Sequence, residues 1–188
     1  MKRKLCVLLA LLMPLALCGC GRRQASASVS LDQALSAVLE SQTGLPALTR
    51  ITPTDADFAA FLSGDYGIDL ARVADGIIAY ADGVEASEIV LLTLANEGDT
   101  FAVQTALMAY AQERAGMFDG YAPMQAAMAR NAKTTVSGKT VALLICPDAE
   151  AAEQALLGCL GEEAGSGAEQ PQQGIGVHGG CRAERHNA

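Results

Sequence analysis

The 188-residue chain has room for one domain of ordinary size with flanking tails. Hydrophobic residues make up 51% of it, but aromatics are only 4% and tryptophan is absent, so we expect an aliphatic core rich in small residues. Its 21 acidic residues outnumber 13 basic ones, and an acidic surface without a basic stripe excludes nucleic acid as a partner.

The N-terminus has the features of a bacterial export signal. A cationic segment at residues 2–4 precedes an apolar run at 5–17, which is too short for a bilayer core that needs about 20 residues. Leu17-Cys18-Gly19-Cys20 is typical of the lipobox, the cleavage and acylation signal of bacterial lipoproteins. We therefore expect residues 1–19 to be removed as a lipoprotein signal peptide, which takes the formal net charge from -8 to -11.

The thiol of Cys20 is the predicted site of lipidation. Small Gly19 gives the signal peptidase access to the backbone, whereas bulky Leu17 makes Cys18 the poorer of two candidate sites. Two acyl chains anchor a protein stably to a membrane, whereas a single acyl chain gives only weak, reversible binding. The expected location is the extracytoplasmic face of the cell membrane, reached through an N-terminal diacylglyceryl anchor. The alternative is an ordinary secretory signal, or a failed transmembrane anchor, in which the cysteine is incidental.

The chain after Cys20 begins as a polar segment, and we expect residues 20–30 to be a flexible tether. Apolar residues at 31, 35, 38 and 39 predict a helix with Ser30 as its N-cap, ended by Gly44 and Pro46. A second, short helix is predicted over residues 54–62.

Two strand-turn-strand-helix units follow. In the first, strands at 73–80 and 89–94 precede a helix at 99–115. In the second, strands at 134–136 and 140–146 flank a turn at Ser137-Gly138, and a helix follows at 148–160, with another helix predicted between the units at 123–132.

These elements predict one α+β domain at residues 31–161, with an antiparallel sheet of about four strands and helices mainly on one face. Two apolar stripes should pack on the sheet: Val103, Ala106, Leu107 and Tyr110 on one helix, and Ala152, Ala155, Leu156 and Cys159 on the other. Residues 162–188 are rich in glycine, glutamine and glutamate, and we expect them to form a disordered tail.

The residues offer little catalytic chemistry. Gly138-Lys139-Thr140 lacks the upstream glycine and the helix of a phosphate-binding loop, so it is interpreted as a hairpin. Both histidines lie in the tail, and acidic loops such as Asp82-Gly83 are interpreted as solvated turns, so we expect no metal and no cofactor. Cys146 and Cys159 are interpreted as small buried residues, with a disulfide between them left open.

The order of several short motifs resembles a family of bacterial lipoproteins catalogued as domain of unknown function 4358. The motifs are Tyr66-Gly67-Ile68-Asp69, Ala86-Ser87-Glu88-Ile89, Gln112, Phe118 with Tyr121 and Pro123, Asn131-Ala132, the Gly138 hairpin and Asp148. The resemblance implies a lipid-anchored extracytoplasmic domain and supplies no activity.

We therefore expect a non-enzymatic envelope protein whose domain binds or supports another envelope component. The alternative is a small-solute or peptide binding module that works beside a transporter, for which Tyr66, Glu88, Gln112 and Tyr121 are the candidate polar contacts. An enzyme of unrecognised type is the third hypothesis, and convergence of those four side chains in one pocket is its first requirement.

Overall fold

The computed structural model describes residues 29–161, so it covers the predicted domain. The predicted signal peptide, Cys20, most of the predicted tether and the predicted tail lie outside the described residues. None of the helices in the described part is both long and apolar enough to cross a bilayer.

The centre of the domain is a five-stranded antiparallel sheet of order β1-β2-β3-β5-β4. Its strands are β1 (Thr49–Ile51), β2 (Val73–Tyr80), β3 (Glu88–Leu94), β4 (Lys133–Ser137) and β5 (Thr140–Ile145). The α+β class and the antiparallel sheet are confirmed, and β1 is the strand that the sequence did not predict.

Within residues 29–161, five α-helices surround the sheet: α1 (Leu31–Glu40), α2 (Phe58–Ala60), α3 (Thr100–Phe118), α4 (Pro123–Arg130) and α5 (Ala149–Leu160). Their ends follow the expected capping chemistry. Ser30 forms a capping box with Gln33, the Asp148 side chain accepts from the backbone of Ala151, and Gly161 ends α5 in the left-handed conformation.

The core has two parts, one on each face of the sheet. Strand β3 is apolar at nearly every position, and its residues alternate between the two parts. One part is covered by α2, α3 and α4, and the other by α1 and α5. The helices are thus divided three and two, rather than lying mainly on one face as expected. The two apolar stripes do pack on the sheet, but from opposite sides.

The predicted helix at residues 54–62 is the least accurate assignment. The Asp55 carboxylate accepts hydrogen bonds from the backbone and hydroxyl of Thr52, which closes a turn where the helix was expected to begin. Only Phe58–Ala60 is α-helical, and the chain then widens into a π-helix over Phe61–Asp65. Elsewhere Cys146 and Cys159 are both free thiols, the first buried and the second half-buried.

Candidate functional site

The most unusual side chain in the domain is Glu88, a carboxylate with no exposure to solvent. It is the first residue of β3, which lies between β2 and β5 in the middle of the sheet. Because side chains alternate along a strand, Glu88 shares a face with Val90 and Leu92 and points into the core under α3. A buried carboxylate at this position requires hydrogen-bond donors.

The first donor is Tyr66, which the π-helix carries to the carboxylate. The wider turn is closed by the backbone N–H of Tyr66 donating to the carbonyl of Phe61 at 3.1 Å. The buried phenol then donates to Oε1 of Glu88 at 2.5 Å. Single π-helical turns often occur at functional positions, and here the turn brings a tyrosine to a strand 22 residues away.

The second donor, Tyr110, and a cation that pairs with Glu88, Arg114, are one turn apart on α3. The Tyr110 hydroxyl donates to Oε2 of Glu88 at 2.7 Å, and Nε of Arg114 lies 3.4 Å from the same oxygen. Arg114 also donates through Nη1 to the Tyr110 hydroxyl at 3.1 Å, so the two side chains act together. We call Tyr66, Glu88, Tyr110 and Arg114 the Glu88 cluster.

Arg114 also holds the chain that leads into β3. Its Nε donates to the carbonyl of Ala86 at 3.1 Å and Nη2 donates to that of Glu85 at 3.3 Å. From α4, Gln125 donates to the Glu85 carboxylate at 2.6 Å and accepts from the backbone N–H of Ala86 at 2.8 Å. Two helices therefore fix the backbone immediately before Glu88.

Aromatic rings enclose the cluster. The rings of Tyr66 and Tyr110 meet edge to face with centroids 4.7 Å apart. The guanidinium carbon of Arg114 lies 5.7 Å from the centroid of Phe118, on the same helix. The Arg114 side chain therefore packs on aromatic rings of its own helix and is 17% exposed.

The protonation states follow from this environment. Burial raises the pKa of Glu88 above its ordinary value, while Arg114 and the hydrogen bonds from the two phenols oppose that rise. Burial and the neighbouring Glu88 also raise the pKa of Tyr66 and of Tyr110, so both phenols remain protonated donors at neutral pH.

The cluster is chemically suited to holding segments together. Each oxygen of Glu88 already accepts a phenol hydrogen bond, and the side chain has no exposure to solvent. Residues 29–161 contain no group of acidic, histidine or cysteine side chains that could hold a metal ion, and every buried side-chain nitrogen or oxygen among them has a hydrogen-bond partner.

The four predicted contacts do not share one pocket. Tyr66 and Glu88 come together in the cluster. Gln112 is exposed on the outer side of α3, where it lines a groove of about 370 Å³, and Tyr121 is 61% exposed beyond the end of that helix.

Sequence reasoning missed Tyr110, Arg114 and Gln125 as members of the site. Tyr110 was assigned to an apolar stripe, which its ring does join. One sequence feature could have identified Arg114. It lies four residues after Tyr110, which places it on the inner side of a helix whose other inner residues are apolar.

The model of the family described as Domain of unknown function (DUF4358) matches residues 50–146. The chain belongs to this family. No curated protein and no solved structure matches it significantly. Membership supports the resemblance seen in the sequence, and the matched residues contain the whole Glu88 cluster.

Proposed function

We propose that this DUF4358 protein is a non-enzymatic, lipid-anchored protein of the cell envelope. A diacylglyceryl group on Cys20 holds it at the extracytoplasmic face of the membrane, and its α+β domain binds or supports another envelope component. The lipobox Leu17-Cys18-Gly19-Cys20 supports the anchor.

The observation that carries the non-enzymatic part is the state of Glu88. General acids and bases must reach the proton that they transfer, within hydrogen-bond distance or through one water. Glu88 has the strongly perturbed environment typical of such groups, yet it has no exposure to solvent and both of its oxygens are occupied by tyrosines of the same chain. We therefore infer that the cluster stabilises the fold and that a binding partner contacts surface residues instead.

The anchor is tested by the mass of the protein extracted from membranes. We expect a chain that begins at Cys20 and carries acyl chains, and we expect Cys20→Ser to leave an unacylated precursor. Cys18→Ser is the matched control, because it removes the neighbouring thiol and should leave processing unchanged. Unaltered processing of the Cys20→Ser chain would contradict the anchor.

The absence of catalysis is tested with the purified protein and a broad panel of esterase, peptidase, phosphatase and glycosidase substrates. No turnover above buffer is expected. Turnover that Glu88→Gln abolishes while the variant remains folded by circular dichroism would show that the cluster is an active site.

A second candidate is a small-solute binding module associated with a transporter. The groove that Gln112 lines with Met108 and Thr134 has the volume of a small-ligand site. Thermal-shift screening against amino acids, sugars and nucleosides tests this, because a ligand that binds only the folded state raises the melting temperature.

A further inference from the structure

We propose that the groove between α3 and β4 binds an extended segment of another protein, one with alternating apolar side chains and basic flanking residues. The inference rests on the proposed function, for which it names the surface and the chemistry of the partner. It is carried by the outer face of α3, the free edge of β4 and the distribution of charge around both.

The outer face of α3 is unusually apolar for an exposed helix. Among its solvent-exposed residues Glu113 alone is charged. Phe101 is 78% exposed and Met108 is 53% exposed. A surface helix normally presents charged and polar residues to water, so apolar side chains in this position indicate an interaction site.

The exposed residues form a continuous stripe. Phe101, Thr105, Met108 and Gln112 follow one another at spacings of four, three and four residues, which places them on one side of the helix. The last three line the groove of about 370 Å³, together with Ala132 and Thr134 from the chain entering and forming β4. Phe101 continues the apolar surface one turn beyond Thr105.

The other wall of the groove is an edge strand. β4 is last in the strand order and pairs only with β5 among residues 29–161. From α3, the Gln104 side chain donates to the Thr134 carbonyl at 3.4 Å and to the Thr134 hydroxyl at 3.5 Å. An added strand would satisfy the remaining backbone groups of this edge and would direct alternate side chains toward α3.

The charge distribution of the domain favours one class of binding partner for this surface. Residues 29–161 contain 17 acidic and 6 basic side chains, and each of the six basic ones already pairs with a carboxylate or a backbone carbonyl of the same domain. Glu97 and Glu113 lie near the two ends of the stripe and make no ion pair within the described residues.

A second copy of the domain would bring the same excess of acidic groups against these carboxylates. An anionic lipid surface would be repelled in the same way. A protein segment with lysine or arginine at its ends is complementary to both the apolar stripe and its acidic ends, so it is the occupant that the charges favour.

The test is a selection of short random linear peptides, displayed on phage, against the detergent-extracted full-length protein. The most enriched peptide is then synthesised, and its affinity is measured by fluorescence anisotropy for the wild type, for Met108→Lys and for Met124→Lys. Met124 is the matched control, because it is 82% exposed on α4 and lines a different groove, near Cys146 and Pro147.

We expect enriched peptides to alternate apolar residues and to carry basic residues at their ends. Met108→Lys should weaken binding by about tenfold or more, the loss typical of an interface centre. Met124→Lys should change it by less than about twofold. Raising the salt concentration from about 50 mM to about 500 mM should weaken binding to the wild type.

The proposal is overturned if no peptide is enriched, if the enriched peptides are acidic or have helical spacing, or if Met108→Lys binds as tightly as the wild type. It is also overturned if light scattering shows a dimer that Met108→Lys abolishes. The same holds if the protein binds vesicles that contain anionic lipid and Met108→Lys abolishes that binding. The anchor is judged separately by the Cys20→Ser chain, so either idea can fail alone.

Discussion

Removing one hydroxyl from the Glu88 cluster tests whether that cluster holds the domain together. Tyr66→Phe keeps the ring that packs edge to face on Tyr110 and deletes the donor at 2.5 Å from Oε1 of Glu88. Tyr121→Phe makes the same chemical change on a side chain that is 61% exposed. The pair therefore compares a buried hydroxyl with an exposed one.

The size of the effect depends on the charge of Glu88. A hydrogen bond to an ionised group contributes about 1.5–3 kcal/mol, and one between neutral groups contributes about 0.5–1.5 kcal/mol. Burial raises the pKa of Glu88 from its ordinary 4.5, so the neutral form is favoured on folding, and this contribution to stability is lost as the pH rises through the folded pKa.

Because the Tyr66 phenol lowers the pKa of Glu88, its removal raises that pKa further and makes the ionised form costlier in the folded state. We therefore expect Tyr66→Phe to lower the free energy of unfolding by about 1–3 kcal/mol, with a cost that does not fall as the pH rises. Tyr121→Phe should stay within about 0.5 kcal/mol of the wild type throughout.

The assay is urea unfolding followed by circular dichroism, since the chain has no tryptophan to report by fluorescence. Titrations from about pH 5 to about pH 8.5 give the free energy of unfolding of each variant relative to the wild type, so other titrating groups cancel in the difference. A Tyr66→Phe deficit that falls as the pH rises, or that is no larger than the deficit of Tyr121→Phe, would refute the assignment of a buried carboxyl group held by this phenol.

Three further substitutions or reactions test separate parts of the structure. Arg114→Ala should lower the free energy of unfolding by about 3 kcal/mol, because it leaves Glu88 buried without its cation. Arg130→Ala breaks an exposed ion pair and should lower it by less than about 1 kcal/mol. Equal losses in urea unfolding would contradict the role of the cluster. Gly76→Ala should cost about 1–3 kcal/mol because an added Cβ would lie 2.7 Å from Cζ of the buried Phe58 ring, and an unchanged melting curve would show that the core yields there. Burial raises the pKa of the Cys146 thiol to about 12, so iodoacetamide should label it only in urea, and rapid labelling of the native protein by peptide mass mapping would contradict its burial.

Much of the fold was predictable because its elements obey strong local patterns. β2 was predicted with its observed ends, and α5 was predicted from Asp148 as N-cap to Gly161 as the residue beyond the helix. β1 was missed because it has three residues, of which only Ile51 is buried, and a single inward side chain makes no alternation.

The placement of helices on both faces was harder to predict. The apolar stripes of α3 and α5 each indicate burial, but a stripe does not specify the side of the sheet on which it packs. The signal was in β3, whose run of apolar residues is typical of a strand covered on both faces.

The site was predicted in part for a similar reason. Tyr66 and Glu88 were named from motifs, but their contact depends on a π-helical turn that has no distinctive residue pattern. Gln112 and Tyr121 were named from the same resemblance, and the structure places them on the surface.

The motifs on which the family resemblance is based therefore do not mark one site. Several of them form or contact the cluster. The Tyr66 hydroxyl donates to Glu88, the Ala86 carbonyl accepts a hydrogen bond from Arg114, and the Phe118 ring packs on the Arg114 guanidinium. Such residues report how the sheet and α3 are joined, which is a requirement of the fold and is compatible with many functions. A binding partner would instead be selected by the side chains that face water on α3, and Gln112 is the one residue of the resemblance that lies on that stripe. If the stripe is the binding surface, exchanging its exposed residues should change the partner while stability is retained, and exchanging cluster residues should do the reverse.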